Sequence, residues 1–139
     1  MNKILLTLIV GLGSLILAAT AQAQIVVIAN PSVKAADVSK NDLRDVFTGG
    51  SSSIGGSNAT PVLLKAGATS DEFLAAFIGK NDTAYRAGWR SLVFSGQANM
   101  PKTVDSEAAM VDFVTHTSGA IGYISKATAH EGVKVLAVK

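Results

Sequence analysis

The sequence contains no cysteine, and this absence excludes several classes of protein. Without thiols the chain has no disulfide bond, no zinc–thiolate site and no acylated cysteine of a lipoprotein. Core packing therefore has to supply the stability of the fold.

Basic residues are too few and too dispersed for a nucleic-acid-binding protein. The chain has 12 Lys or Arg against 10 Asp or Glu, which gives a formal net charge of +2. No cluster of Lys and Arg is interleaved with aromatic residues, so no nucleic-acid partner is expected.

The chain also has little of the chemistry that catalysis needs. His116 and His130 are the only imidazoles, and no G-x-S-x-G, P-loop or Rossmann glycine pattern occurs. The acidic pair Asp71 and Glu72 is explained by the favourable position of carboxylates at a helix N-terminus. Because no nucleophile and base can be paired, the sequence predicts neither an enzyme nor a cofactor or metal site.

The first 23 residues are typical of a secretory signal sequence. Lys3 precedes an apolar run over residues 4–19, and small residues end the segment at Ala21-Gln22-Ala23. We expect cleavage after Ala23, a periplasmic location and one domain over residues 24–139; the alternative is an uncleaved membrane anchor. The apolar run is short for a spanning helix, which needs about 20 residues.

Two elements and a loop are predicted at the start of this domain. Residues 25–29 form a continuous apolar run with β-branched side chains, typical of a strand buried on both faces. Ser39 and Asp42 form a capping box before a short helix that ends at Gly49. Residues 49–59, rich in Gly and Ser, are expected to be a mobile loop.

Residues 61–79 predict a strand, a turn and a helix whose N-terminus suits an anion. An apolar run over residues 62–64 ends at Lys65, and Thr69 with Glu72 has the spacing of a capping box. Unpaired backbone N–H groups and the helix dipole favour phosphate, sulfate or carboxylate at such a turn. The same pattern is also compatible with a purely structural turn.

The following helix is expected to begin at Asn81 or Asp82. It carries Trp89, the only tryptophan, which core packing explains better than ligand stacking. Its apolar side chains recur at helical spacing and are expected to face the core: Tyr85, Trp89, Leu92, Val93 and Phe94.

The rest of the chain predicts a loop over residues 97–102, a helix capped by Asp105 or Ser106, and strands over residues 120–124 and 133–138. Strands separated by helices favour an α/β domain with a partly parallel sheet, in which the last two strands are antiparallel or joined by a longer crossover. Ligands of such sheets lie beyond the carboxyl ends of the strands. Residues 65–70 occupy that position.

Four segments in order resemble the phosphate-type substrate-binding proteins of ABC transporters. They are LRDVFTG at residues 43–49, the strand and loop of residues 61–73, FSG at residues 94–96, and FVTHTSGAIGYI at residues 113–124. GAIGY is the most specific of them. The resemblance covers nearly all of residues 24–139 and implies a type II periplasmic-binding-protein fold: one three-layer α/β lobe, with a mixed, partly parallel sheet flanked by helices.

The resemblance also implies a ligand and a site. The arginine, serine, glycine and threonine of the family's anion loop fall on Lys65, Thr69, Ser70 and Asp71, and Asn30 is a further candidate from the adjacent strand end. Lys65 keeps the charge but loses the bidentate fork that suits phosphate, and Asp71 adds a negative charge.

The function implied is binding of inorganic phosphate or a similar oxyanion. The expected partner is an ABC permease, a second copy of the chain or another envelope protein that supplies the missing second lobe. The alternative is a non-transport interaction or sensing module that kept the fold without tight anion binding.

Overall fold

A mixed six-stranded β-sheet lies at the centre of the structure, a computed structural model that describes residues 24–139. The expected signal sequence lies outside the described residues. The elements in chain order are β1 (Ile25–Ala29), β2 (Asp37–Val38), α1 (Lys40–Phe47), β3 (Ser53–Ile54), β4 (Ser57–Asn58), β5 (Thr60–Leu64), α2 (Ala68–Phe73), α3 (Asp82–Phe94), β6 (Lys102–Val104), α4 (Glu107–His116), β7 (Ala120–Ser125) and β8 (Lys134–Val138). A π-helical turn, Leu74–Ile78, continues α2. None of the helices in residues 24–139 is long and apolar enough to cross a membrane.

The strand order in the sheet is β2-β8-β1-β7-β5-β6. β1 is antiparallel to both β7 and β8, whereas β5 is parallel to β7 and to β6, and β2 is parallel to β8. The predicted α/β class with a partly parallel sheet is confirmed. The last two strands do not pair with each other, because β1 lies between them.

Helices cover both faces of this sheet. Gly122 and Tyr123 are neighbours in β7 and therefore point to opposite faces. Met110 of α4 packs on Gly122, while Phe47 of α1 and Phe73 of α2 pack on Tyr123. The result is three layers, with α4 on one face and α1 and α2 on the other.

An aromatic cluster fills the core between the sheet and α1 and α2. The rings of Phe73 and Tyr123 stack with centroids 3.9 Å apart, and Phe47 meets Phe73 edge to face at 4.9 Å. All three side chains are buried. Such pairs stabilise a core by about 0.5–1.5 kcal/mol beyond the burial of apolar area.

Three predicted helix starts are confirmed by side-chain caps. Ser39, Asn81 and Ser106 each accept a hydrogen bond from the backbone N–H three residues later, at 3.0, 2.8 and 3.0 Å. The buried strand at residues 25–29 is also confirmed, because Val27, Ile28 and Ala29 are at most 1% exposed.

The predicted capping box of Thr69 with Glu72 is wrong. α2 begins at Ala68 after Gly67, which makes no side-chain capping bond. Thr69 therefore lies inside the first turn, and its hydroxyl donates to the carboxylate of Glu107 in α4 at 3.2 Å. The Thr69 hydroxyl therefore bonds to a residue 38 positions away, and not to the start of its own helix as the local spacing predicts.

The loop predicted over residues 49–59 contains a β-hairpin of the two short strands β3 and β4. Gly55 and Gly56 have φ angles of +56° and +81°, as a tight two-residue turn requires. Ile54 anchors the hairpin because it is only 3% exposed. The composition predicts that Gly55 and Gly56 belong to a mobile loop, but in the structure they form the turn of the hairpin.

The end of α3 also differs from the prediction. Tyr85 and Trp89 are buried, but Val93 is 41% exposed and Phe94 is 95% exposed. At about 100° per residue, Phe94 points away from the face that carries Tyr85, and Val93 lies at the edge of that face, so the apolar stripe of α3 is narrower than predicted. The short strand β6 begins at Lys102, the last residue of the predicted loop; it was not predicted because it is mostly polar and gives little hydrophobic signal.

Candidate functional site

The carboxyl ends of β5, β6 and β7 meet at one end of the sheet, here called the loop end. The strands finish at Leu64, Val104 and Ser125, and the N-termini of α2 and α4 follow two of them. A shallow depression of about 310 Å³ lies there, open to solvent. Its lining combines residues 64–70 with Asp105, Ser106 and Glu107.

Hydrogen bonds around Leu64 fix the start of the loop. The N–H of Leu64 donates to the hydroxyl oxygen of Tyr123 at 3.0 Å, and Tyr123 is hydrogen bonded to Ser70 at 2.8 Å. Ser70 donates to the carbonyl oxygen of Leu64 at 3.4 Å, which also accepts from the Arg86 guanidinium at 3.1 Å. The end of β5 is thereby tied to the first turn of α2, and the loop between them is held at both ends.

The position of the Tyr123 phenol among these partners in the core changes its pKa. Desolvation by burial raises the pKa of the Tyr123 phenol, and the hydrogen bond with Ser70 opposes that shift only in part. Ser70 is completely buried, so its hydroxyl serves the core rather than the depression. The backbone of Ser70 is equally inaccessible, so this residue offers no donor to a ligand.

The other residues of the predicted loop are accessible. Lys65, at the end of β5, is exposed, and its N–H pairs with the carbonyl of Val104 at 2.9 Å. The first intrahelical bond of α2 runs from the N–H of Asp71 to the carbonyl of Gly67, so the preceding N–H groups, including that of Thr69, have no intrahelical partner. The Asp71 side chain is exposed and lines a second open depression between α2 and α3.

Asn30 does not lie with the other four predicted residues. Its N–H donates to the carbonyl of Ala120 at the beginning of β7, and Thr60 at the start of β5 pairs with that residue. With about 3.3 Å per residue along β5, Asn30 lies roughly 15 Å from the loop end. β1 is antiparallel to β7, and this reversal carries its C-terminus to the far end of the sheet.

The polar atoms of Asn30 are occupied by structural contacts. Its amide donates to the carbonyls of Val114 and Thr115 at 2.8 and 3.1 Å, and its side-chain oxygen accepts from the N–H of Ser32 at 2.9 Å. Asn30 thus caps the end of α4.

Carboxylates dominate the charge of the depression. Lys65 is its one cationic lining residue, against the acidic residues Asp105 and Glu107. Within residues 24–139, no group of three His, Asp or Glu side chains is arranged to hold a metal ion. The arrangement suits a small ligand held by backbone N–H groups and one ammonium.

Comparison with known proteins gives structural matches only. No family model and no curated protein sequence matches the chain. Among solved structures, a putative phosphate ABC transporter substrate-binding protein from Clostridium perfringens, with bound phosphate, superposes with a TM-score of 0.63 and 17% identity, over 82% of this chain and 44% of that one.

The chain shares the fold of phosphate-type substrate-binding proteins. PstS from Borrelia burgdorferi matches with a TM-score of 0.57 and 19% identity, over 83% of this chain and 47% of that chain. An ABC-type phosphate transport receptor from Vibrio cholerae gives 0.56 and 17%, over 82% and 45%. The chain therefore spans less than half the length of each of these proteins, and its periplasmic-binding-protein-like fold is that of a part of them.

Sequence reasoning missed three residues that shape the loop end of this fold: Arg86, Glu107 and Tyr123. The partners that they bond at the loop end lie 18 to 59 residues away along the chain. Tyr123 lies in the GAIGY segment, the one local signal that pointed to this position. Glu107 and Arg86 have the sequence context of ordinary helix-surface charges.

Proposed function

We propose that this protein is an exported, single-lobe relative of the phosphate-type substrate-binding proteins that binds a small oxyanion, inorganic phosphate in particular. The ligand lies at the loop end, with the ammonium of Lys65 and the backbone N–H group of Thr69 as donors; the predicted donor Ser70 lies buried beneath the loop, and Asp71 lines the neighbouring depression. The observation that carries the proposal is the fold match to a structure with bound phosphate, together with an open loop in the position where ligands of α/β sheets bind.

Binding at this site is expected to be weak. High affinity requires a largely enclosed ligand, and the depression covers only one side of it. One ammonium faces two carboxylates, which adds repulsion. A dissociation constant on the order of 1 mM follows for the isolated chain.

Calorimetry of residues 24–139 with phosphate and with sulfate tests the proposal. Lys65→Ala removes the only cation of the depression and is expected to weaken phosphate binding about fivefold or more. Lys34→Ala is the matched control, because Lys34 is also exposed but lies near the β3–β4 hairpin, where its N–H bonds to Ser57. Absence of heat at millimolar phosphate rejects the proposal; equal affinities of the two variants reject the site.

The proposal includes export, with a cleaved signal over residues 1–23 and one domain over residues 24–139. The missing wall of the site then comes from an ABC permease, a second copy of this chain or another envelope protein. The mass of the protein recovered from the periplasm tests the first part: it corresponds to a chain that begins at Gln24. A full-length mass in the membrane fraction supports the uncleaved anchor instead.

A second candidate is an interaction or sensing module of the cell envelope. The fully exposed Phe94 and the acidic lining of the depression favour it, because neither helps to hold a free oxyanion. A pull-down from envelope extract with the wild type and with Phe94→Ala distinguishes the two candidates. Recovery of no partner, or of the same partner by both proteins, counts against this role of Phe94.

A further inference from the structure

Glu107 is the point at which three separate segments meet at the loop end. Its carboxylate accepts hydrogen bonds from the hydroxyl of Thr69 in α2 at 3.2 Å, from the hydroxyl of Thr128 at 2.9 Å, and from the N–H of Ser125 at the end of β7. Glu107 is partly buried. The three donors converge on one small anionic group.

All three donors of this carboxylate are neutral. Among the described residues, no Lys, Arg or His forms an ion pair with Glu107. Its negative charge is stabilised by hydrogen bonds from two hydroxyls and one backbone N–H, which are the groups that proteins also offer to bound oxyanions. The chain therefore offers its own carboxylate the kind of hydrogen-bond donors that a bound oxyanion requires.

The position of Glu107 brings this carboxylate into conflict with an external anion. Glu107 and Thr69 both line the depression that contains Lys65. A hydroxyl has one proton to donate, so Thr69 cannot donate to Glu107 and to a ligand at the same time. A second negative charge nearby is also repelled by the carboxylate.

We infer that Glu107 is an internal anion that occupies the donors at the loop end and competes with an external oxyanion for the Thr69 hydroxyl. This inference rests on the proposed function for its second part. The first part, that the three donors form a cradle for a carboxylate-sized anion, stands on the contacts of Glu107 alone.

Two substitutions of Glu107 test the inference by different measurements. Glu107→Gln removes the charge and keeps the size, so phosphate is expected to bind about tenfold tighter than to the wild type. Glu107→Ala leaves three donors without their acceptor and vacates the space of a carboxylate. Formate is expected to restore its thermal stability in a saturable manner, beyond any effect of the same concentration of chloride.

Glu72 supplies the matched control for both measurements. It is an exposed glutamate of α2 that does not line the depression. Glu72→Gln removes the same charge and is expected to change phosphate affinity less than twofold, and Glu72→Ala is expected to show no difference between formate and chloride. This control separates a local effect from a change in net charge.

The internal-anion role is overturned if formate stabilises Glu107→Ala no more than chloride does. The competition is overturned if Glu107→Gln binds phosphate no tighter than Glu72→Gln. Formate rescue without any phosphate binding by the wild type or Glu107→Gln rejects the proposed function and the competition, and leaves the cradle standing. If Glu107→Ala does not fold even in formate, the cradle is rejected as well.

Discussion

Single buried polar residues tie the elements of this protein together. Tyr85 and Trp89 both donate to the carbonyl of Phe47, and Tyr123 joins Ser70 to Leu64. A hydroxyl or indole N–H in a core costs free energy unless it has a partner. Here each partner belongs to a different element, so satisfying the group also fixes the position of that element.

The two tyrosines predict a loss of stability at alkaline pH. Burial raises the pKa of Tyr85 and of Tyr123 above the ordinary value of 10.0. Above pH 10 the unfolded chain loses the phenolic protons while the native state keeps them. The unfolded state then binds fewer protons, and the free energy of unfolding falls as pH rises.

Tyrosinate absorbance measures this effect without interference, because Tyr85 and Tyr123 are the only tyrosines in the chain. In a titration above pH 10, the absorbance is expected to rise together with the loss of far-UV circular dichroism. An absorbance step at pH 10 in the folded protein contradicts the burial of one of these side chains. Tyr85→Phe, compared with the wild type, identifies which one.

At the scale of the secondary-structure elements, α4 packs closely against the sheet at Gly122. A Cβ atom added at Gly122 of β7 would lie 2.4 Å from the sulfur of Met110. Gly122 therefore allows the helix to sit against the strand, and this explains physically why the GAIGY segment has a glycine at that position. Glu107 is the first residue of the same helix, so the distance between α4 and the sheet also determines where Glu107 lies at the loop end.

Gly122→Ala is expected to destabilise the protein by about 1–3 kcal/mol, because α4 or the Met110 side chain has to move. Gly88→Ala is the matched control: Gly88 lies in α3 and an added Cβ meets no atom within 4 Å. That substitution is expected to stabilise by about 0.5–1 kcal/mol through helix propensity. Urea denaturation of both variants measures the difference, and equal midpoints would disprove the close-packing explanation.

A double mutant tests the named contact directly. The double mutant Met110→Ala/Gly122→Ala is expected to lose less free energy of unfolding than the sum of the two single losses, because the smaller side chain makes room for the new methyl group. If the two losses are strictly additive, the Met110 side chain is not the group that the new methyl group displaces.

For the molecule as a whole, one continuous core joins both sides of the sheet across β1, β5 and β7. Trp89 lies on the side of α1 and α3, and its indole N–H bonds to Phe47 at 2.9 Å. Because the sheet shares its central strands with both helical layers, neither layer has a separate core. We therefore expect residues 24–139 to unfold as one cooperative unit.

Urea unfolding followed by two probes checks this expectation. Fluorescence of Trp89, the only tryptophan, reports one helical layer, and far-UV circular dichroism reports all of the helices and strands. The two curves are expected to coincide, with an m-value of about 1–2 kcal/mol per M urea. Two separate midpoints mean that the α1 and α3 layer unfolds independently.

The sequence by itself was sufficient for features that depend on neighbours in the chain. The caps at Ser39, Asn81 and Ser106 bond to a backbone N–H three residues away, and the buried strand β1 is a run of adjacent apolar residues. Such signals are complete within one short segment. They were enough to predict the α/β class and the position of the loop at Lys65.

The tertiary structure decided what depends on residues far apart. β1 lies between β7 and β8 and is antiparallel to β7, so Asn30, which follows β1, lies at the far end of the sheet. The Glu107 carboxylate, 38 residues from Thr69, takes the hydroxyl that local spacing assigned to a helix cap. Strand order and long-range hydrogen bonds arise from packing the whole core, because the free energy of each contact depends on partners that no local pattern specifies.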